Sequence, residues 1–392
     1  MSQQLINLNS DLKQLRDEGY QIEIYGGYLI THHIPYVTNK REIKFGKLVC
    51  DLTLSGLKTV KPQSHVMMFS GEHPCHQDGS IITGIQHATL QQKLGNDIDL
   101  NYSFSNKPAE GYSNYYKKVS RYAEIISAPA KFLDDTISEK PHLPIKSIGE
   151  ESVFHYYDTN SSRANIDHIN SKICNQRIAI VGLGGTGAYI LDLVAKSCVK
   201  EIHIIDGDVM LNHNAFRAPS AISAEELSKQ PSKVEFYSQT YSKIRKNIKP
   251  YNCYLSKSNL DILLGMDYVF LAIDDNEARA ICVDFLTTNG IPLIDVGLGV
   301  NALEDSLIGS VRVTCSTNSK FDHLDRRIPR SSGGVNEYST NIQIAELNAF
   351  NATLAVIKWK KLSGFYQDLE KEHNSVYSIN VSQLLNEDKI ES

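Results

Sequence analysis

The 392-residue sequence lacks the cysteine and hydrophobic patterns that would assign it quickly to a class of protein. Its seven cysteines are widely scattered and no two have Cys-x-x-Cys spacing, so they predict neither a zinc site nor a disulfide framework. We expect all seven to be reduced thiols in a cytoplasmic protein. Since the sequence has no apolar run of about 18 residues and no signal-peptide pattern, no membrane span is expected.

The sequence also lacks a long basic block. Lysine and arginine total 40 against 45 aspartates and glutamates, which gives a net charge of −5. Proteins that bind nucleic acid through its phosphates need a positive surface, so nucleic acid is not an expected partner. The hydrophobic content of 41% and the charged content of 22% are ordinary for a globular enzyme.

The length allows about two domains, and the residue pattern changes near residue 150. Residues 1–150 mix helical and strand-like segments, which predicts a smaller α+β domain. A polar stretch with two prolines over residues 136–165 indicates a linker. Residues 151–368 are predicted to form the second domain. Residues 369–392 are a C-terminal extension for which a short strand and helix or a tail are both open.

In the second domain, apolar runs alternate with helical segments. RIAIVGLGG, VKEIHIIDGD, DYVFLAIDD and IPLIDVGLG are four such runs. Strands that are apolar on both faces and are separated by helices indicate a parallel sheet covered on both sides. The predicted fold class is therefore α/β, with a Rossmann-like, doubly wound and mostly parallel sheet.

The glycine-rich segment GLGGTG, residues 182–187, joins the first of these strands to a helix. Glycines allow a tight turn and a close approach to a phosphate, and a helix N-terminus offers unpaired N–H groups. Asp206 follows the next strand, where a carboxylate can accept ribose hydroxyls. These two features fit a dehydrogenase and a nucleotidyltransferase equally well.

Further polar residues separate those two alternatives. Two cations, amides and carboxylates converge on the same predicted strand ends: Asp208, Asn214, Arg217, Lys233, Asp274, Asp275 and Asn276. Cations offset the charge of a triphosphate and a carboxylate holds Mg²⁺, whereas hydride transfer needs neither. The pattern favours chemistry at ATP over an NAD(P)-dependent oxidoreductase.

This ordered set resembles the ThiF/MoeB family, whose members are relatives of the ubiquitin-activating enzymes. The family pattern is matched within residues 165–365 at Gly182, Gly184, Gly185, Gly187, Asp206, Asp208, Asn214, Arg217, Lys233, Asp275 and Asn276. The sequence departs from the pattern at His213 and Ala218, which flank the site. It also lacks the paired Cys-x-x-Cys ligands of many relatives, so no structural zinc is expected.

The resemblance implies that ATP and Mg²⁺ are used to adenylate the C-terminal carboxylate of a small ubiquitin-like protein that ends in glycine, with release of pyrophosphate. A conjugating enzyme is a further partner on this interpretation. The implied roles are phosphate binding for Gly185 and its neighbours, ribose binding for Asp206, triphosphate contacts for Asn214, Arg217 and Lys233, and Mg²⁺ binding for Asp275.

Two residues outside this set are expected to contribute. The family is dimeric, with an arginine that reaches the partner subunit's phosphates, and Arg163 is the candidate by position; the alternative is a solvated linker arginine. Cys315 ends a presumed strand where relatives place an acceptor cysteine, so it could form a thioester. The alternatives are a buried, unused thiol and an acceptor hydroxyl such as that of Ser316.

Other interpretations stay open at this point. Sulfur-carrier activation in cofactor biosynthesis would use the same chemistry, and a non-catalytic scaffold could bind the same ubiquitin-like protein. Arg326, Arg327 and Arg330 form either a solvated basic loop or a docking surface for an acidic partner. The first domain resembles an uncharacterised domain that accompanies activating enzymes in bacterial gene clusters encoding ubiquitin-like proteins. We expect it to recognise the substrate, the conjugating partner or its dimer mate; the alternative is a catalytic activity of its own.

Overall fold

A computed structural model describes residues 2–94, 98–145, 152–164, 166–330 and 342–390. The chain divides into an N-terminal unit, Met1–Ile145, and a C-terminal unit, Lys146–Ser392. The boundary predicted at residue 150 falls within residues 146–151, which lie outside the described residues.

The N-terminal unit is built on an antiparallel sheet, which confirms the predicted α+β class. Its strands, in spatial order, are β1 (Gln21–Tyr25), β2 (Tyr28–Val37), β3 (Ile43–Asp51), β6 (Val66–Ser70), β8 (Asp99–Ser105) and β7 (Gln86–Lys93). A separate ribbon pairs β4 (Leu54–Ser55) with β5 (Lys58–Thr59). The helices are α1 (Ser2–Leu8), α2 (Ser10–Asp17) and α3 (Tyr115–Leu133).

Helix α3 shows why this unit folds as it does. The side chain of Asn114 accepts a hydrogen bond from the Lys117 N–H and caps the first turn. Val119, Tyr122 and Ile126 then recur at helical spacing and are fully or almost fully buried. They pack in one core with residues of α2 and the sheet.

The C-terminal unit contains an eight-stranded sheet. In spatial order its strands are β11 (Ile248–Tyr251), β10 (Glu201–Ile205), β9 (Arg177–Val181), β12 (Tyr268–Leu271), β13 (Leu293–Leu303), β14 (Ser306–Ser316), β15 (Asn374–Ser378) and β16 (Gln383–Glu387). The first five are parallel and the last three are antiparallel. The predicted doubly wound, mostly parallel sheet is confirmed, and the C-terminal extension contributes its last two strands.

Helices cover both faces of this sheet. They are α4 (Thr159–Arg163), α5 (Asp167–Cys174), α6 (Gly185–Ala195), α7 (Asn212–Ala215), α8 (Ala224–Ser228), α9 (Lys233–Tyr241), α10 (Asn276–Thr288), α11 (Leu324–Arg327) and α12 (Ala345–Leu362). On β9, Ile178 and Ile180 join the core beneath α6 and α12, while Ala179 and Val181 join the core beneath α10. Burial on both faces explains why these strands appear as continuous apolar runs.

Two cysteines of this unit overturn part of the cysteine prediction. Cys174, at the end of α5, and Cys198, just after α6, form a disulfide, so the expectation of seven reduced thiols is wrong for this pair. Their Cα atoms are 4.6 Å apart although 24 residues separate them in sequence. Helix packing brings them together, which sequence spacing could not show. The other five cysteines are free.

Within the described ranges, no helix is both long enough and apolar enough to cross a bilayer.

Candidate functional site

A cleft of about 820 Å³ lies at the carboxyl ends of the central strands. The chain continues from β9 to β10, which is the neighbour of β9 on one side of the sheet. On the other side β9 pairs with β12, and from there the chain continues to β13, away from β10. Such a reversal of strand order opens a crevice where α/β sheets bind ligands.

The glycine loop after β9 forms one wall of this cleft. Gly182 has a φ of +86°, and a Cβ there would clash with the Ala272 carbonyl oxygen after β12. A Cβ on Gly187 would clash with the Gly182 carbonyl oxygen, so a larger residue would push α6 away from the loop. By contrast, no atom of the residues that the structure describes lies within 4 Å of the Cβ position of Gly184, which lines the cleft. Its backbone is therefore accessible to a ligand, whereas Gly187 is not a lining residue.

Asn348 of α12 fixes this loop and was not predicted from the sequence. Its side chain is fully buried and fills the space where Gly185 would carry a Cβ. It accepts a hydrogen bond from the Thr186 hydroxyl at 2.8 Å and donates one to the Arg217 carbonyl oxygen at 3.3 Å. Asn348 thus joins the glycine loop to the segment that carries Arg217. The signal that could have revealed Asn348 is a polar amide at a core-facing position of a helix.

Asp206, at the end of β10, also holds the loop. Its carboxylate accepts hydrogen bonds from the Leu183 N–H at 2.6 Å and the Asp208 N–H at 2.8 Å. Burial raises the pKa of Asp206, which Lys233 at 3.6 Å partly opposes. Asp206 lines the cleft, where its carboxylate can also accept ribose hydroxyls.

Lys233, at the start of α9, is buried and already paired. Its Nζ lies 2.6 Å from the Asp208 carboxylate. Asp208 also accepts a hydrogen bond from the Tyr254 hydroxyl. Burial alone would raise the pKa of Asp208, but the hydrogen bonds from Lys233 and Tyr254 outweigh it and lower that pKa. Tyr254 was missed by the sequence analysis; its exposed ring packs over Gly207 and lines the cleft.

Arg217, in the segment after α7, is the cleft cation whose charge is least compensated by the protein. Its Nε is buried without a hydrogen-bond partner, and among the described residues none forms an ion pair with it. Burial lowers the pKa of Arg217, and the charge of Asp274 opposes this only in part. Nearby, the buried Asn214 accepts a hydrogen bond from the Leu211 N–H at 2.9 Å and closes the turn of α7.

Two carboxylates follow β12, on the far side of the glycine loop. Asp274 and Asp275 are exposed and line the cleft. Asp275 caps α10 through one oxygen, which accepts hydrogen bonds from the Glu277 and Ala278 N–H groups at 2.8 and 3.1 Å. Asn276 does not line the cleft, because it is buried and accepts a hydrogen bond from Arg279.

These carboxylates fit Mg²⁺ as a nucleotide-bound ion. Within the described ranges, no group of three or more His, Cys, Asp or Glu side chains could hold a metal. Mg²⁺ is usually held by one or two carboxylates together with substrate phosphates and water. Asp275, whose second oxygen accepts no hydrogen bond from a described residue, suits that arrangement.

Comparison with known families decides the identity of the C-terminal unit. The model of the ThiF family matches residues 157–319, which include the glycine loop and both carboxylate-bearing strand ends. Residues 157–319 are a ThiF family domain. Residues 10–159 match a family described only as a domain of unknown function, DUF6791.

Individual relatives of the ThiF domain are distant. A tRNA threonylcarbamoyladenosine dehydratase of Haemophilus influenzae is 27% identical over 131 residues, which are 32% of this chain and 49% of the relative. The chain thus spans about half the length of that relative.

Solved structures with similar folds are more distant still. E. coli MccB, solved with MccA-N7isoASN, is 16% identical with a TM-score of 0.49, and the match covers 71% of this chain and 84% of MccB. E. coli TcdA, a tRNA N6-threonylcarbamoyladenosine dehydratase, is 19% identical with a TM-score of 0.40 over 52% of this chain and 92% of TcdA.

The opposite wall of the ThiF domain's cleft carries charges that the sequence analysis missed. Asp295 of β13 is fully buried, 2.6 Å from the Arg312 guanidinium and 3.2 Å from that of Arg279. Both arginines line the cleft. The spacing of these residues in the sequence does not indicate that they share a site, because Arg312 lies on β14 and Arg279 lies within a helix.

Cys315 does not lie in the cleft of the ThiF domain. It is inside β14, paired in register with Ile294, and only 1% of its surface is exposed. Burial raises the pKa of its thiol to about 12, so the reactive thiolate is scarce at neutral pH. The neighbouring Ser316 is buried as well. An acceptor role for either residue would require β14 to open.

The remaining predicted residues lie outside the cleft. Arg163 is exposed at the end of α4 and does not line it, so its action on a partner subunit stays a prediction. The three arginines near α11 form ion pairs within the unit: Arg326 with Asp388, Arg327 with Glu387 and Asp388, and Arg330 with Asp284 and Asp325.

Proposed function

We propose that the ThiF domain catalyses ATP-dependent adenylation of the C-terminal carboxylate of a ubiquitin-like protein. The observation that carries this proposal is Arg217, a half-buried cation near the glycine loop whose Nε forms no hydrogen bond with any described residue. A buried, uncompensated charge is costly, and a phosphate group would compensate it.

The proposed reaction brings two anions together. A carboxylate oxygen attacks the α-phosphorus of ATP, a carbon–oxygen–phosphorus anhydride forms, the bond between the α-phosphorus and the bridging oxygen breaks, and pyrophosphate leaves with that oxygen. Fixed positive charge offsets the repulsion before the reaction begins. Arg217 and Lys233 supply it, with Lys233 sharing its charge between Asp208 and the triphosphate.

The other cleft residues have complementary roles in this proposal. Asp206 holds the glycine loop and binds the ribose, and Asn214 orients the turn that precedes Arg217. Asp275 would hold Mg²⁺ through its second oxygen. The ion, when bound, supplies further neutralisation of the phosphate charge.

The choice of a protein over tRNA as substrate follows from charge. The name of the distant dehydratase relative refers to tRNA, but this chain carries a net charge of −5. Extensive contact with a polyanion needs a positive surface. Sulfur-carrier activation would use the same half-reaction, and the identity of the acyl acceptor distinguishes it from conjugation.

The test is ATP–pyrophosphate exchange with Gly-terminated ubiquitin-like proteins. We expect exchange that depends on the free C-terminal carboxylate and is lost when the same protein carries a C-terminal amide. Exchange at the same rate with both forms, or none with any Gly-terminated protein while ATP still binds, would refute the proposal.

We propose further that the enzyme is a homodimer in which Arg163 acts in the partner's site. Mixing Arg163→Ala with Asp275→Asn subunits should then restore about a quarter to a half of the exchange activity, because each mixed dimer keeps one intact composite site. A crosslink between differently tagged subunits verifies that mixed dimers form. Mixed dimers without activity would show that the arginine is not donated across the interface.

A further inference from the structure

One face of the β13–β14 hairpin forms the cleft wall that lies away from the glycine loop. The antiparallel register places Asp295 opposite Thr314, Gly297 opposite Arg312 and Gly299 opposite Ser310. Residues two apart on a strand point to the same side. Their side chains therefore share one surface, and four of the six residues, Gly297, Gly299, Ser310 and Arg312, line the cleft.

The Arg312 side chain is fixed in one place on this surface. Its guanidinium lies over Gly297, where a Cβ would be 2.9 Å from Nη2, so a residue larger than glycine would displace it. Nη2 donates to Asp295 at 2.6 Å, and Nη1 donates to the Thr314 hydroxyl. That hydroxyl donates in turn to the Asn374 side chain at 2.8 Å.

The charges on this wall leave an excess of one positive charge. Among the described residues, Asp295 is the one carboxylate that forms an ion pair with Arg279 or Arg312. Arg279 is buried, and its other nitrogens donate to the Ile273 carbonyl oxygen and to Asn276. Arg312 is different, because its side chain is 16% exposed and no described residue accepts a hydrogen bond from its Nε. The planar fork of arginine suits a carboxylate.

The position of Arg312 separates it from the phosphate-binding residues. Strand β13 lies between β12 and β14, so β14 is about 10 Å from β12 across the sheet. Lys233 and Asp206 belong to elements on the other side of β12. An anion at Arg312 is thus a second group beside the triphosphate. No atom of a described residue lies within 4 Å of the Cβ position of Gly299, so Gly299 and Ser310 leave room for an extended chain on this part of the wall.

We propose that Arg312 binds the carboxylate of the acyl substrate and that Asp295 is a positioning residue that acts through Arg312. This inference rests on the proposed adenylation. The substrate class that fits is an extended polypeptide end with small last residues and a free carboxylate.

The test measures binding, so it needs no turnover. The probes are two synthetic peptides ending in Gly-Gly, one a free acid and one a C-terminal amide, titrated into the full chain with a non-hydrolysable ATP analogue present. We expect wild type to bind the acid about tenfold or more tightly than the amide, since charge-assisted hydrogen bonds are worth about 1.5–3 kcal/mol. Arg312→Gln should abolish that preference, and Arg312→Lys should restore part of it.

A second variant keeps every charged side chain. Gly297→Ala should displace the Arg312 guanidinium and reduce the acid preference at least about threefold, with ATP-analogue affinity within about twofold of wild type. The matched control is Arg177→Gln, which removes an arginine at the opposite end of β9 and should change neither affinity.

Asp295→Asn tests the positioning role in exchange kinetics. It should raise the KM for the carboxylate substrate about tenfold and leave the KM for ATP within about twofold, a split that general destabilisation would not produce. An acid preference that persists in Arg312→Gln, or a wild type that binds acid and amide alike or neither, would overturn the inference. If the proposed function fails while this inference holds, wild type will show no pyrophosphate exchange but will still bind the acid peptide more tightly than the amide.

Discussion

The two walls of the cleft hold their arginines in opposite ways. Arg217, beside the glycine loop, has a buried Nε that forms no hydrogen bond within the described part of the chain, and Asn348 contacts its backbone carbonyl. Arg312, on the other wall, is fixed by Asp295 and Thr314. Arg217 depends on a ligand to compensate its charge, whereas the side chain of Arg312 is already oriented by residues of the sheet.

This difference matches the two tasks of an adenylation site. The triphosphate carries several charges and can compensate Arg217 when it binds, so ATP affinity gains from a cation that the protein leaves unsatisfied. The carboxylate is a single charge that has to meet the α-phosphorus in line. A fixed guanidinium orients such a group without losing side-chain freedom on binding.

The largest effect is expected at Asp275, between the two walls. Asp275→Asn keeps the cap of α10 and removes the charge that would hold Mg²⁺, so pyrophosphate exchange should fall about 100-fold or more at nearly unchanged thermal stability. Asp275→Ala should lose the same activity and also about 1 kcal/mol of unfolding free energy. Exchange kinetics and denaturant unfolding measure the two effects. If pyrophosphate exchange persists in Asp275→Asn, the proposed role of Asp275 in holding Mg²⁺ is wrong.

Arg217 and its unsatisfied charge provide the next largest effect. Arg217→Met should weaken ATP binding about 10- to 100-fold, because a charged hydrogen bond to phosphate is lost. The same change should leave stability unchanged or raise it, because an uncompensated, half-buried cation disappears. Calorimetric titration with ATP and thermal unfolding measure both. Lower stability with intact ATP binding would make Arg217 a structural residue.

A smaller effect with a defined pH dependence is expected at Tyr254. Its hydroxyl helps to lower the pKa of Asp208, so the stability that this interaction contributes is present above the unfolded-state pKa and is lost as pH falls through the folded pKa. Tyr254→Phe should cost only a small part of the stability at neutral pH, since Asp208 is half exposed. The difference from wild type should shrink as the pH falls through the folded-state pKa of Asp208, and it should vanish once that carboxyl group is protonated. Urea unfolding at several pH values measures it, and a difference that grows in acid would contradict this account.

The smallest effect on activity is expected at Cys315. Because burial raises the pKa of its thiol to about 12, Cys315→Ala should leave exchange unchanged. In native protein at neutral pH, maleimide should instead modify Cys253, a free and partly exposed cysteine that lines the cleft, and ATP should slow that reaction. Mass spectrometry of digested protein identifies the labelled residue. Rapid labelling of Cys315 would show that β14 opens.

The sequence predicted the site residues that can be recognised from their immediate neighbours in the chain. The glycine loop and Asp206 directly follow strands, and Asp275 lies in the short segment between β12 and α10, so strand patterning places them at the cleft. Arg312 and Asn348 escaped prediction because each reaches the site through a partner that is distant in sequence. Arg312 needs the β13–β14 register to meet Asp295.

The same reasoning explains the predictions that fared less well. The Cys174–Cys198 disulfide depends on helix packing that no spacing rule encodes. Cys315 was placed by analogy of position, but whether a strand-end thiol points into a cleft or a core depends on strand length and register.

The central claim is that the cleft directs a protein carboxylate to the α-phosphorus of ATP. The most direct measurement incubates a Gly-terminated ubiquitin-like protein with the enzyme and ATP that is labelled at the α-phosphorus or, in a parallel sample, at the γ-phosphorus. We predict that only the α-label appears on the C-terminus of the ubiquitin-like protein, together with release of pyrophosphate. Transfer of the γ-label, or release of ADP in place of pyrophosphate, would contradict the account.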